Sequence, residues 1–362
     1  MRCWPDLTRT LGLLLLCSAL GAAGCGQAAS ESGTLRIAVV PKGSTHEHWK
    51  RVHAGAEKAA AELRAAGVPV EVIWKAPLRE DDREQQVQVV ESFISQGIDG
   101  LVLAPLDSRA LQRPVDEAAR AGIPTVIFDS ALADGTKTVS YVSTDNGRGG
   151  RLAAQRMGEL LGGKGRVLML RYQEGSAATE EREAGFLDEI RTKYPGITVI
   201  SSDQYAGATR DTAKRASENL LNRYADEIDG IFTPNESSTA GMLLALQDIN
   251  KAGVITFVGF DYSAGFIEPL RRGEIKGFVV QNPINMGYLS VKTMVDHLQG
   301  KPVPATVDTG VYLVTLDNLE DPEIQAVISG TWITAAATAR NTEGAESTEG
   351  TEVREGAENL GI

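Results

Sequence analysis

The chain has 362 residues, with 36 Lys or Arg against 48 Asp or Glu and a net charge of −12. So acidic a chain lacks the basic face that displaces counterions from nucleic-acid phosphate, and a nucleic-acid partner is excluded. Its 42% hydrophobic content supports folded cores, its length allows about two domains, and its three cysteines, Cys3, Cys17 and Cys25, leave the rest without a disulfide framework, a thiolate metal site or a cysteine nucleophile.

Taken in chain order, the first segment reads as an export address. Arg2 and Arg9 precede an apolar run over 11–20, and the small residues 21–24 lead to Cys25. The run falls short of the roughly 20 residues needed to cross a bilayer. Ala22-Ala-Gly-Cys25 is similar to a bacterial lipobox, which makes 1–24 a signal peptide and Cys25 the lipidated first residue of the mature chain. An ordinary cleaved signal beside a chance cysteine is the alternative. Residues 26–33 are small and polar and read, with Cys25, as a tether.

Between 34 and 331, short β-branched runs alternate with amphipathic stretches. Strands are expected over 35–40, 70–74, 100–105, 125–130 and 139–144, and again over 166–172, 197–204, 230–235, 256–262 and 277–282. Helices are expected over 46–66, 82–96, 146–161, 181–194, 209–224 and 237–252. Near-continuous apolar strands flanked by helices imply an α/β fold of two doubly wound parallel-sheet lobes with about five strands each. A further helix over 286–299 and a strand over 310–315 need places in these lobes, so the chain crosses between them more than once. Residues 336–362 are acidic and repetitive and read as a disordered tail.

Open parallel sheets bind ligands beyond the carboxyl ends of their strands. His46, His48 and Trp49 follow the first strand, Asp129 and Ser130 the fourth, Asn235 the eighth, Asp261 the ninth, and Gln281 ends the tenth. Directional polar groups around a flat indole suit a sugar, whose hydroxyls donate and accept while its C–H face packs on an aromatic ring. Any single Asp or Asn could be a helix cap; their recurrence on successive strand ends carries the reading. Phosphate and acyl-transfer motifs (GxGxxG, GxxxxGK[ST], GxSxG) are missing. Three of the four histidines, His46, His48 and His53, lie within eight residues, but no HExxH accompanies them, so neither metal nor cofactor is expected, and His53 reads as structural.

These residues match a known pattern. Over about 34–330 the chain resembles the type I periplasmic binding proteins of ABC sugar importers, the ribose-binding-like group. The resemblance rests on an ordered series: Ile37-Ala-Val-Val40 with Trp49 and Gly55-Ala56, Gly100-Leu-Val-Leu-Ala-Pro105, Ile123-Pro-Thr-Val-Ile-Phe-Asp129, Val142-Ser-Thr-Asp-Asn146, Arg182 with Gly185-Phe186, Phe232-Thr-Pro-Asn235, Val258-Gly-Phe-Asp261 and Gln281. LacI-type repressors share the fold but begin with a helix-turn-helix, where this chain has an export signal.

The resemblance implies that His46, His48 and Trp49 contact the sugar from the first lobe, that Asp129 accepts from its hydroxyls, that Arg182 donates a fork of bonds, and that Asn235, Asp261 and Gln281 complete a polar ring. Arg182 is also expected to offset the buried charge of Asp129. The departures point away from ribose itself: Ser130 stands where Arg is common, His46 where Asn is common, Ala104 where some members have Asn, and Ala206-Gly-Ala where an aromatic is found. The stretch 73–77 resembles the branch binding rhamnose or an autoinducer sugar. The galactose-type calcium loop has no counterpart.

The expected assembly is an N-terminal lobe of 34–143 plus 282–309 and a C-terminal lobe of 144–281 plus 310–331, hinged near 143–144, 281–282 and 309–310. The expected partners are a monosaccharide-like ligand and membrane ABC permease subunits, for a monomer held outside the cell by lipid on Cys25. A sensor of the same fold feeding a signalling receptor is the alternative. A hydrolase would need two carboxylates about 5–9.5 Å apart across the bond; Asp129 and Asp261 are the only evident pair, and no enzyme activity is expected.

Overall fold

The computed structural model describes residues 33–331. The export segment with Cys25, most of the tether and the acidic tail lie outside the described residues. In chain order the elements are β1 (Leu35–Val40), α1 (Glu47–Ala65), β2 (Val70–Trp74), α2 (Arg83–Ser95), β3 (Gly100–Leu103), α3 (Gln112–Arg120), β4 (Thr125–Phe128) and β5 (Ser140–Ser143). There follow α4 (Asn146–Leu160), β6 (Lys164–Met169), α5 (Ala177–Lys193), β7 (Gly196–Ser201), α6 (Arg210–Tyr224), β8 (Gly230–Phe232), α7 (Glu236–Asp248) and β9 (Thr256–Phe260). The chain closes with α8 (Ile267–Arg271), β10 (Gly277–Gln281), α9 (Pro283–Leu298), β11 (Thr306–Asp308), β12 (Val311–Val314) and α10 (Pro322–Ser329).

Two six-stranded sheets result, ordered β11-β5-β4-β3-β1-β2 and β12-β10-β9-β8-β6-β7. Their central strands are buried along almost their whole length, and apolar clusters pack both faces of each sheet. This is the doubly wound, two-lobed α/β architecture, because strands apolar on both sides are stable only between two helical layers. Helix α4 packs on β9, β10 and β12, while α9 packs on β1, β3, β4 and β5. The chain therefore crosses between the sheets three times: after β5, after β10 and between β11 and β12. The crossings lie side by side. The Thr309 N–H donates to the Ser143 carbonyl at 2.9 Å, and the Thr144 and Thr309 hydroxyls stand 3.4 Å apart.

Several expectations need correction. The first sheet gains a sixth strand, β11, a three-residue edge pairing too short to show a period. The strand expected over 310–315 forms as β12 but runs antiparallel to β10, whereas β11 runs parallel to β5. The reason is geometric. The two sheets present their carboxyl ends to each other, so a chain passing straight from one into the other must reverse its sense relative to the second. The fourth and ninth strands stop at Phe128 and Phe260, short of their expected ends, because Asp129 (φ 61°) and Asp261 (φ 64°) turn into left-handed backbone. Helix α5 starts at Ala177, four residues before its expected start.

Helix α1 crosses α9, and α4 crosses α5, at near-backbone contact. A Cβ on Gly55 would lie 2.0 Å from the Ile284 carbonyl oxygen, and one on Gly150 would lie 2.0 Å from the Arg182 carbonyl oxygen. Only glycine permits these approaches. The second one seats the turn of α5 that carries Arg182.

Candidate functional site

The facing strand ends enclose a small cavity of about 30 Å³, lined by residues of both lobes. Larger depressions along Leu78–Gln85 and beside β7 each lie on one lobe and gather no comparable set of buried charges. Eight of the nine residues singled out from the sequence line the cavity: His46, His48, Trp49, Asp129, Arg182, Asn235, Asp261 and Gln281.

The first lobe supplies a charged, aromatic wall. Its floor is Asp129, set by the left-handed turn that ends β4. Lys42 Nζ lies 2.9 Å from its Oδ2, and His48 Nε2 lies 3.3 Å from Oδ1, in ion-pair range but off hydrogen-bond alignment. Burial opposes ionisation of Asp129, but the Lys42 charge and His48 outweigh it and hold the carboxyl well below its ordinary range. Beside it, His46 Nδ1 meets Glu80 Oε1 at 2.5 Å, and the Trp49 indole N–H donates to the same oxygen at 2.6 Å. Burial works against both charged forms. Their mutual attraction nonetheless raises His46 to about 9 and, with Lys42 and Trp49, lowers Glu80 to about 2. The His48 ring stands edge-on to Trp49 at 4.7 Å.

The second lobe supplies a hydrogen-bonded ring. Asp261 Oδ1 accepts from Gln281 Nε2 at 2.7 Å, and Oδ2 accepts from the Glu236 backbone N–H at 3.0 Å. Arg182, buried in the second turn of α5, lies 3.9 Å from Asp261 Oδ2. It donates to Asn146 Oδ1 and the Pro234 carbonyl and covers the Phe260 ring at 4.2 Å. The expected pairing of Arg182 with Asp129 is therefore corrected. The direct partner of Asp129 is Lys42, on its own lobe, and Arg182 acts on it only at longer range.

Two assignments take a different shape in three dimensions. Ser130 is fully buried and does not line the cavity; its Oγ accepts from the Ala178 N–H at 3.1 Å, tying the first lobe to the start of α5. That contact satisfies a backbone N–H in the first turn of α5 from outside the helix. Asn235 lines the cavity but is the N-cap of α7: its Oδ1 accepts from the Ser238 N–H and hydroxyl, and its Nδ2 donates to Ser237 Oγ. Elsewhere, His53 stacks on Trp74, and Tyr205 is half-exposed and accepts from Arg171.

Sequence reasoning did not single out Lys42, Glu80, Tyr172, Thr179 or Glu236, all of which line the cavity. Lys42 was legible in principle, since it stands two residues past the end of β1. Glu80 sits in the charged run Arg79-Glu-Asp-Asp82, which looks like solvated loop, and only the fold turns it inward. Tyr172 comes from the other lobe, and its hydroxyl donates to Glu80 Oε2 at 2.8 Å across the cleft. Gln173 to the Glu80 carbonyl, and Lys42 to Ser176, also bridge the lobes. Among the described residues no group of three or more His, Cys, Asp or Glu side chains is placed to hold a metal ion.

Comparison with known proteins follows this geometry. A family model for the periplasmic binding protein domain matches residues 37–302. The ribose import binding protein of Bacillus subtilis is 32% identical over 237 residues, covering 65% of this chain and 75% of that protein. The xylitol-binding protein of Mycolicibacterium smegmatis is 28% identical over 281 residues, covering 76% of this chain and 77% of that protein. A solved carbohydrate transporter solute-binding protein from Agrobacterium radiobacter, in complex with D-arabinose, superposes with a TM-score of 0.76. It is 33% identical, covering 82% of this chain and 99% of that one.

Proposed function

We propose, from the premise that this chain belongs to the periplasmic binding protein family, that it captures a monosaccharide or closely related polyol between its lobes and delivers it to a membrane ABC permease. Members of this family are exported solute-binding proteins of sugar transport rather than enzymes. The observation that carries the reading is the cavity itself. Carboxylates, amides, imidazoles and a guanidinium converge on it from both lobes around the Trp49 ring. Each cation there is offset by a buried carboxylate, which favours a neutral ligand rich in hydroxyl groups over an anion.

The mechanism follows from the two-lobed geometry. A solute seated on one lobe gains further contacts when the other closes over it, and only that difference shifts the equilibrium toward the closed form. Tyr172 to Glu80, Lys42 to Ser176 and Ala178 to Ser130 are bonds that closure makes. The three adjacent crossings supply the hinge. The protein works as a monomer on the outer side of the membrane, held there by lipid on Cys25.

Thermal shift of the soluble chain starting after Cys25 tests the reading against pentoses, hexoses, deoxyhexoses, polyols and the rhamnose-like autoinducer sugars. A ligand at a hundredfold excess over its Kd adds about 2.7 kcal/mol of stability. One clear hit is the expected result. A flat response across the panel, after refolding to strip carried-over ligand, overturns it.

A further inference from the structure

We propose that Glu236 is a ligand-contacting residue of this cleft, and that it and Gln281 form an acceptor pair selecting for two hydroxyl donors on the solute. The inference rests on the sugar-binding reading and adds to it which atoms of the ligand the second lobe reads.

Glu236 is the first residue of α7 and is 2% exposed. Its two carboxylate oxygens have different fates. Oε1 is held by the Arg210 guanidinium, which also donates to Ser263 Oγ. Oε2 is fully buried and has no hydrogen-bond partner among the described residues, and the side chain lines the cavity. A buried carboxylate oxygen left without a donor is costly, so the donor it calls for has to come from the cavity side. Gln281 repeats the arrangement. Its Nε2 is spent on Asp261 Oδ1, which orients the amide, and its Oε1 is buried without a partner in the same wall. Asp261 binds the Glu236 backbone N–H on its other oxygen, so one carboxylate fixes both acceptors relative to each other.

The chemistry of this wall is one-sided. Two acceptors read two O–H groups; a ring ether oxygen, a methyl ether or a deoxy carbon offers them nothing. Arg210 offsets the Glu236 charge, so a neutral hydroxyl suffices. Asn235, next to it in the chain, commits its oxygen and one amide hydrogen to the helix cap, which moves the reading of the ligand one residue along.

Isothermal titration calorimetry with D-ribose, D-arabinose, D-allose and xylitol, on the wild type and on Glu236→Gln, tests this. In the variant Arg210 claims the amide oxygen, so the NH₂ turns to the cavity and the acceptor becomes a donor. The expected result is an affinity at least tenfold lower in the variant for whichever probe the wild type binds best. A monodeoxy analogue of that probe, lacking the hydroxyl facing Glu236, should lose affinity on the wild type and lose nothing further on the variant. Binding by the wild type with an unchanged Kd in the variant overturns this inference and leaves the sugar reading standing. A wild type that binds none of these four and no member of the thermal-shift panel overturns both. If Glu236→Gln fails to fold by circular dichroism, Glu236→Asp, which keeps the charge and withdraws the oxygen, gives the same comparison.

Discussion

The two lobes share a strand order and a backbone device but use them for different chemistry. In each sheet the fourth strand in chain order ends on an aspartate in left-handed backbone, Asp129 in one and Asp261 in the other, and each backbone N–H donates to the neighbouring strand, at Val142 and at Val279. Non-glycine residues in that region are uncommon, and Asp is among those that tolerate it. The turn throws each carboxylate into the cleft. In the first lobe ionisable side chains, Lys42 and His48, face it, with the His46–Glu80 pair in the same wall. In the second, an amide, a backbone N–H and a braced arginine fix it. A duplicated architecture thus yields one wall sensitive to protonation and one wall held by directional bonds.

The largest test of this contrast is Asp261→Ala. It leaves Gln281 Nε2 and the Glu236 N–H without their acceptor, takes the nearest carboxylate from Arg182, and puts a side chain ill suited to φ 64° at the turn. Breaking a buried ion pair on one side costs about 3–5 kcal/mol. Urea denaturation should register that loss, and calorimetry should find binding weakened at least a hundredfold. Asp261→Asn, which keeps the turn, should recover much of the stability and little of the binding.

Lys42→Met is the matching test in the first lobe. It removes the closest cation from Asp129 and the bond to Ser176, and an expected loss of about 3 kcal/mol should appear in the same denaturation assay. A loss below about 0.5 kcal/mol would mean that His48 and Arg182 suffice for Asp129, against the geometry. Smaller again is Tyr172→Phe, which deletes one cross-cleft bond and leaves Glu80 Oε2 short of a donor, at about 1–3 kcal/mol. Because that bond joins the two lobes, stopped-flow release of bound sugar should quicken while association changes little if the proposed closure is right.

The subtlest effect is pH dependence. Glu80 is lowered from 4.5 to about 2, so its contribution is present above pH 4.5 and lost as pH falls toward 2. His46 is raised from 6.5 to about 9, so its contribution is complete below pH 6.5 and lost as pH rises through 9. The melting temperature should therefore decline between pH 6.5 and 9, by about 2–4 °C for each kcal/mol lost. His46→Gln should flatten that alkaline slope. An identical slope in the variant would place the titrating group elsewhere.

Much of this was legible in the sequence because its signals are local. Val39-Val40 and Val102-Leu103 read as buried parallel strands, and the polar residues just past the strands could be placed at the sheet edge without coordinates. Eight of nine candidates do line one cavity. The misses have a common physical cause. Glu80 and Glu236 look like solvated surface in a charged loop and a helix N-terminus, and nothing local reveals that Trp49, Tyr172 or Arg210 will desolvate them. Ser130 fails in the other direction: it stands at a strand end as a ligand group would, yet its hydroxyl is taken by Ala178 from the opposite lobe.

What the sequence determined by itself was the alternation of elements, the two sheets, and which residue types stand at the carboxyl ends of the strands, because hydrophobic period and turn chemistry act over a few residues. Only the tertiary structure decided which cation serves which carboxylate, which way β12 runs, and which polar atoms are left facing the cavity. Those outcomes depend on contacts between residues that the chain separates by tens to hundreds of positions, such as Lys42 with Ser176 and Glu80 with Tyr172. The partners brought together there, against the cost of burial, set the charge state of the groups that meet.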